Sequence, residues 1–455
     1  MWFRNPVSPS EAPKATGVIP SVGREAAGGE ESQSSRKRGP SAGRSAIPHL
    51  PTSWAPGVRF ARAPLGMTNR PRLRAFGAAL GMTIGLASAL SGQAPERDYI
   101  VLVASEAVDL ITRVRFGPGA GPTLAKVEGT TKVGINPMDP DGPHGVALSP
   151  DGRHYYVTTA HGVPFGYLWK LDARTNEVVG NVELGNFPAT AQVTPDGGFV
   201  YVVNFNLHGE MVPSSVSVVS TDPFIEVARI QTCTMPHGSR INAAGTKHYS
   251  ACMMDDMLVE IDTRELAVSR HFMLRKGGEH GEAGPPHSHK MPAAGSGDHA
   301  GHGMEGPKPG DVSCSPTWAQ PSADGRSVFV ACNKASDIVE IDATSWTMKR
   351  RIPAGDGVYN LAATRDGKLL IATNKRGKSV SIIDIASGKE LARIPTQRRV
   401  VHGAAISPDD RYAFISVEGV GSEPGTVEMI DLRTRQRVAS ADVGQMAGGI
   451  DVLRQ

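Results

Sequence analysis

Three histidines recur at one place in a repeated motif: His144 in Pro143-His144-Gly145, His237 in Pro236-His237-Gly238 and His402 in Val401-His402-Gly403. Imidazole ligates metals and titrates near neutral pH, so three brought to one opening would suit a metal ion, an anion or the edge of a haem-type tetrapyrrole. The equivalent places in other repeats read Ala189, Thr317 and Asn360, so the turn does not impose histidine. The plainer reading is that Pro-His-Gly merely starts a strand, its imidazole satisfied by backbone. A second concentration spans residues 271–304, with His271, His280, His287, His289, His299 and His302 beside Met273, Met291 and Met304. Imidazole with thioether favours copper, with zinc or nickel behind it. His287-x-His289 and His299-x-x-His302 are the close pairs. Ten of the 34 residues from 277 to 310 are glycine, which reads as a loop insertion. The alternative is a solvated low-complexity segment that never meets a metal.

All four cysteines fall near this region, in two matched positions: Cys233 and Cys314 before a blade-opening proline, Cys252 and Cys332 at the end of the next strand. A disulfide between equivalents is expected, Cys233 with Cys314 or Cys252 with Cys332, although three full connectivities exist. A thiolate, methionine and imidazole copper site built from His237 with Cys252 or Met253 is the competing idea.

Such groups need a scaffold, and the dominant signal from residue 98 onward is repetition. Turn units recur at Ser149-Pro150-Asp151-Gly152, Thr194-Pro195-Asp196-Gly197, Ser322-Ala323-Asp324-Gly325, Thr364-Arg365-Asp366-Gly367 and Ser407-Pro408-Asp409-Asp410. Each has a side chain that caps the turn and, in most copies, a glycine for positive φ. A β-rich run follows each, then a strand closing on aspartate: Asp172, Asp262, Asp342, Asp384 or Asp431. Four strands per unit, with spacings of 42 and 43 residues between Asp324, Asp366 and Asp409, predict propeller blades. Six units are complete. Tyr99–Val103 and Val108–Val114 at one end, with Gly449–Leu453 at the other, predict a seventh that closes the ring by pairing the chain's two ends. The expected fold is therefore all-β, a seven-bladed propeller over residues 98–455. The interval from Asp262 to Asp342, 80 residues, holds the 277–310 insertion rather than another blade.

Pro143-His144-Gly145-Val146-Ala147-Leu148-Ser149-Pro150-Asp151-Gly152, Val328-Phe329-Val330-Ala331-Cys332-Asn333 and Ser379-Val380-Ser381-Ile382-Ile383-Asp384 resemble the repeats of YVTN-type β-propellers. The resemblance implies the fold but not one function, because related propellers include binding scaffolds, lactonase-like hydrolases and cytochrome d1-like tetrapyrrole carriers. A lactonase-like site would draw a carboxylate and amides from Glu418, Asn204, Asn333 and Asn374, with His161 and His208 near the same funnel mouth.

Composition narrows the classes further. Charged residues make up 20% and the formal net charge is +3, which does not point to a nucleic-acid binder. No nucleophile elbow, phosphate loop or Cys-x-x-Cys-His haem attachment is present. Residues 1–66, with nine basic and four acidic residues, read as disordered or as a start-site artefact. Residues 67–94 read as a signal peptide: Arg70, Arg72 and Arg74 precede a short apolar run, and Ala87-Ser88-Ala89 offers a processing site. Retention as an anchor is the alternative; after cleavage no stable span is expected. The sequence thus predicts a periplasmic or secreted binding or accessory propeller, copper-associated, with another exported protein as a partner. An enzyme or tetrapyrrole carrier, and a metal-free scaffold, are the other readings.

Overall fold

The computed structural model describes residues 94–135, 138–161, 165–207, 209–286 and 312–453. The N-terminal segments expected as leader and signal lie outside them. The described chain forms seven antiparallel sheets arranged as the blades of a propeller. Blade 1 takes β1 (Tyr99–Ser105), β2 (Leu110–Phe116) and β3 (Ala125–Lys132). Blade 2 is β4 (Pro143–Leu148), β5 (His154–Thr159), β6 (Tyr167–Asp172) and β7 (Val178–Glu183). Blade 3 is β8 (Pro188–Val193), β9 (Phe199–Asn204), β10 (Pro213–Thr221) and β11 (Phe224–Thr234). Blade 4 is β12 (Pro236–Ile241), β13 (Lys247–Cys252), β14 (Met257–Asp262), β15 (Ala267–Met273) and β16 (His280–Ala283). Blade 5 is β17 (Pro316–Pro321), β18 (Ser327–Cys332), β19 (Asp337–Asp342) and β20 (Thr347–Pro353). Blade 6 is β21 (Val358–Ala363), β22 (Leu369–Asn374), β23 (Ser379–Asp384) and β24 (Glu390–Pro395). Blade 7 is β25 (Val401–Ile406), β26 (Tyr412–Val417), β27 (Gly425–Asp431) and β28 (Gln436–Val443).

The last strand, β29 (Ala447–Val452), pairs antiparallel with β1 and becomes the innermost strand of blade 1. The ring is closed as the orphan end segments predict. The polar, exposed outer strand β3 carries no apolar alternation and escapes sequence reading. A second departure is β16, which pairs with β15 as a fifth strand of blade 4, so the expected loop at 277–310 begins with a strand. No helix among the described residues is long and apolar enough to cross a membrane.

Apolar cores lie between neighbouring blades. Tyr99, Val101 and Phe116 of blade 1 pack with Tyr412, Phe414 and Met429 of blade 7, each fully buried large side chain contributing roughly 1.5–3 kcal/mol relative to exposure. The motif aspartates serve the turns. Asp151 Oδ1 accepts from Ser149 Oγ at 2.6 Å, and Asp172 Oδ1 accepts from the backbone N–H of Arg174 and Thr175 at 2.9 and 2.8 Å. Their recurrence reflects hairpin construction, not acid–base chemistry.

The cysteines pair differently from the expectation: Cys233 bonds Cys252, and Cys314 bonds Cys332. Pro236 stands opposite Cys252 and Pro316 opposite Cys332 in the strand ladders. Each bridge therefore pins the chain entering a blade to the second strand of that blade. Equivalent positions of adjacent blades are held a blade's width apart, which is why equivalents do not pair. With both bridges formed no cysteine is free, so a thiolate copper site using Cys252 is ruled out in this state.

Candidate functional site

Every innermost strand is entered through a residue in the left-handed region: Gly142, Phe187, Met235, Ser315, Gly357, Val400 and Met446, with φ between 47° and 66°. Five of the seven are not glycine, and such residues cost of order 1–3 kcal/mol each unless the surroundings hold them. The kink turns the chain into the channel, and the second residue of each strand then forms a ring around one mouth. The strand register puts His144, Ala189, His237, Thr317, Tyr359, His402 and Gly448 in this ring. Val358 pairs with Asn374 just as Pro143 pairs with Thr159, so the blade 6 member is Tyr359 rather than the expected Asn360.

The three histidines meet although their blades are not adjacent. The His144 ring centre lies 6.0 Å from that of His237 and 5.5 Å from that of His402. Ala189 and Gly448, the small ring members between them, leave the space that the imidazoles cross. The glycines of the Pro-His-Gly motif have a separate duty: a Cβ on Gly145 would stand 2.4 Å from the carbonyl oxygen of Ala189, and one on Gly238 would stand 2.3 Å from that of Thr317. Glycine thus lets neighbouring inner strands approach, while the histidine beside it is free to vary.

The imidazoles are held partly from outside the ring and partly by its own members. His144 Nδ1 lies 2.8 Å from Glu106 Oε2, and His161 Nε2 lies 2.5 Å from the other oxygen of the same carboxylate. Glu106 belongs to the short 3₁₀ turn Glu106–Val108 that joins β1 to β2. His237 Nδ1 donates to the Thr317 carbonyl at 3.0 Å, and its Nε2 accepts from the Tyr359 hydroxyl at 3.0 Å. His402 Nδ1 is buried with no hydrogen-bond partner among the described residues, and its Nε2 is 3.9 Å from Glu418 Oε1. His144 Nε2 is buried with no hydrogen-bond partner.

Electrostatics divide this mouth in two. Burial would push Glu106 up, but the imidazoles of His144 and His161 hold it well below the usual carboxylate range. The Glu106 hydrogen bond in turn raises His161. Burial depresses His237 to about 3 and His402 well below its ordinary value, so both are neutral at pH 7. Lys375 Nζ pairs with Glu418 at 2.9 Å and sits 4.2 Å from the Tyr359 ring centre. Burial opposes the lysine charge, but Tyr359 and Glu418 outweigh it and raise its pKa. The opposite side is apolar: Phe187, Phe205 and Met235 pack together, with Met253 and Met254 against them.

Among the described residues no group of three or more His, Cys, Asp or Glu side chains is placed to hold a metal ion as it lies. At this cluster Tyr359 occupies His237 Nε2. Two expected ligands stand elsewhere. His271 is on β15, its Nε2 3.4 Å from Glu282 Oε2, and His280 is on β16, its Nε2 3.0 Å from Glu282 Oε1. Strand β16 runs four strand spacings, roughly 19 Å, outside β12. His208, His287, His289, His299, His302, Met291 and Met304 lie outside the described residues. The amides proposed for a lactonase-like site are engaged structurally. Asn204 Nδ2 donates to Ser215 and Ser217, Asn374 Nδ2 to Ser379 and Ser381, and Asn333 Nδ2 to the carbonyls of Gly357 and Val358. An open groove of about 790 Å³ between blades 5 and 6 lies at the opposite, turn-bearing end, and its buried Glu340 is already paired with Arg350 and Lys349.

Tyr359, Lys375 and Glu106 are the members that sequence reading missed. Aligning strand two across blades rather than the opening proline would have found Tyr359.

No family model and no curated protein matches this chain. Among solved structures it is similar to hydrazine synthase of Kuenenia stuttgartiensis, with 21% identity and a TM-score of 0.52 over 72% of this chain and 99% of that one. It is also similar to a putative 6-phosphogluconolactonase of Bacteroides uniformis, with 15% identity and a TM-score of 0.56 over 78% and 100%. A periplasmic gluconolactonase of Pseudomonas aeruginosa gives 16% and 0.56 over 79% and 99%. At these identities the likeness establishes the β-propeller fold alone. The YVTN resemblance therefore rests on the repeat residues themselves.

Proposed function

We propose that this chain is an exported, non-enzymatic, metal-associated propeller, copper being the favoured ion and zinc the second. Its binding centre is the imidazole cluster of His144, His237 and His402. The observation that carries the reading is His144: one nitrogen is held by a half-buried carboxylate and the other is buried without a partner among the described residues, beside two further imidazoles. Carboxylate or carbonyl at the outer nitrogen is the usual way a metal-ligating histidine is oriented. Two imidazoles on one tetrahedral ion would have ring centres roughly 5 Å apart, so binding asks for a small contraction and for release of His237 by Tyr359. The His- and Met-rich stretch to residue 304 supports the choice of copper through its donor types. Two disulfides support an oxidising compartment.

The test is metal analysis of untagged protein, followed by copper titration of wild type, the double variant His144→Gln/His402→Gln, and a deletion limited to residues 287–311 that keeps β16. Near-stoichiometric copper, weakened at least tenfold in the double variant, is expected. Identical titrations of wild type and double variant sink the cluster as the site. A tetrapyrrole chromophore without copper would favour the carrier reading, and neither ligand would leave the scaffold.

A further inference from the structure

Below the histidines, the fifth residue of each innermost strand forms a second ring at the waist of the channel. Blades 3, 4 and 5 contribute Gln192, Arg240 and Gln320, blade 1 contributes Asp451, and the other three blades contribute alanine. The cavity here measures about 260 Å³; it takes in Trp318 and Asn360 and is bordered by His144 and His402 of the upper ring. That volume holds several waters or a small organic ion.

Arg240 is the anomaly in this ring. Its guanidinium makes one hydrogen bond, from Nη1 to the Ser239 carbonyl at 3.1 Å, and stacks 4.7 Å from the Trp318 ring centre. Burial lowers it to about 10, with the Asp451 carboxylate acting in the other direction. Asp451 stands three blades away, where its oxygens accept from the backbone N–H of Leu148 at 2.9 Å and Val452 at 2.8 Å. Trp318 is 5% exposed, and its indole N–H has no acceptor; Asn360 is 3% exposed, and its side-chain oxygen has no donor. A second guanidinium, Arg365, lines the turn-side end of the same cavity. A guanidinium presents five N–H donors in a planar fork, and this half-buried one leaves most of them facing the channel.

We propose that the channel waist binds a small anion, a carboxylate or an inorganic oxyanion, held by the Arg240 fork and the Trp318 indole N–H. The inference uses side chains other than the three imidazoles, and both sets border one cavity. Calorimetric titration of the full chain at constant chloride with sodium acetate, glycolate, phosphate and sulfate tests it. Saturable binding is expected, reduced tenfold or more in Arg240→Gln and several-fold in Trp318→Phe, which keeps the ring and removes the donor. Carboxylates binding best would mark an organic acid as the ligand; phosphate or sulfate binding best would mark an inorganic oxyanion. Absence of saturable binding by all four overturns the proposal, as does an Arg240→Gln protein that binds like wild type. Should Arg240→Gln fail to fold, an unchanged affinity in Trp318→Phe overturns it. Copper titration of the same variants should match wild type, so failure here and failure at the histidines are distinguishable.

Discussion

At the scale of single residues, the histidine ring makes opposite pH demands on the fold. His237 and His402 are held neutral by burial. A base depressed in this way contributes stability in full above its unfolded value near 6.5, and that stability is lost as pH falls toward the folded value. His161 runs the other way: raised by Glu106, it contributes fully below 6.5 and fades as pH rises through its raised value. Glu106, held down, contributes above its ordinary 4.5 and loses that stability on acidification. Thermal melts from pH 7.5 to 5 should therefore show falling stability in wild type and a shallower fall in His402→Gln. A parallel fall in both would contradict the assignment. Glu106→Gln should weaken metal affinity by roughly 10–100-fold, the usual effect of losing the partner that orients a ligand, read by competition with a chromogenic chelator.

At the scale of strands and turns, much was legible and the failures have identifiable causes. The Asp-Gly turns and Asp-ended third strands announce their hairpins because side chain and backbone agree locally. The outer strand β3 is exposed and polar, so periodicity has nothing to register. Asn360 takes the place of a ring member in the sequence reading because blade 6 opens on Val358 without the proline that marks the register in blades 2 to 5. The cysteine partners depend on which residues face each other across a ladder, which matching repeat positions cannot reveal. With sequence separations of 19 and 18, each bridge should contribute about 3 kcal/mol. Denaturant unfolding of Cys233→Ser/Cys252→Ser should register a loss of that size. The left-handed entry residues make a further prediction. Val400 is β-branched, half-buried and at φ 66°, so Val400→Gly should stabilise by about 0.5–1 kcal/mol, whereas Gly238→Ala should destabilise by about 1–3 kcal/mol through its contact with Thr317 and Trp318. Reversed signs in the same unfolding assay would refute the strand-entry account.

At the scale of the whole molecule, seven-fold repetition gives each blade one vote at each level of the channel. Six of the fourteen places in the two rings carry Ala, Gly or Thr, and the other eight, His144, His237, Tyr359 and His402 above and Gln192, Arg240, Gln320 and Asp451 below, define the molecule's individuality against a common frame. The closure through β29 carries a consequence for biogenesis. The strand that completes the first blade is synthesised after every other strand described, so a chain emerging vectorially exposes the unpaired edge of β1 until β29 arrives. Until then the nascent protein is an unsealed arc that invites strand exchange with its neighbours, and its yield should respond to holdase chaperones more than to bulk temperature.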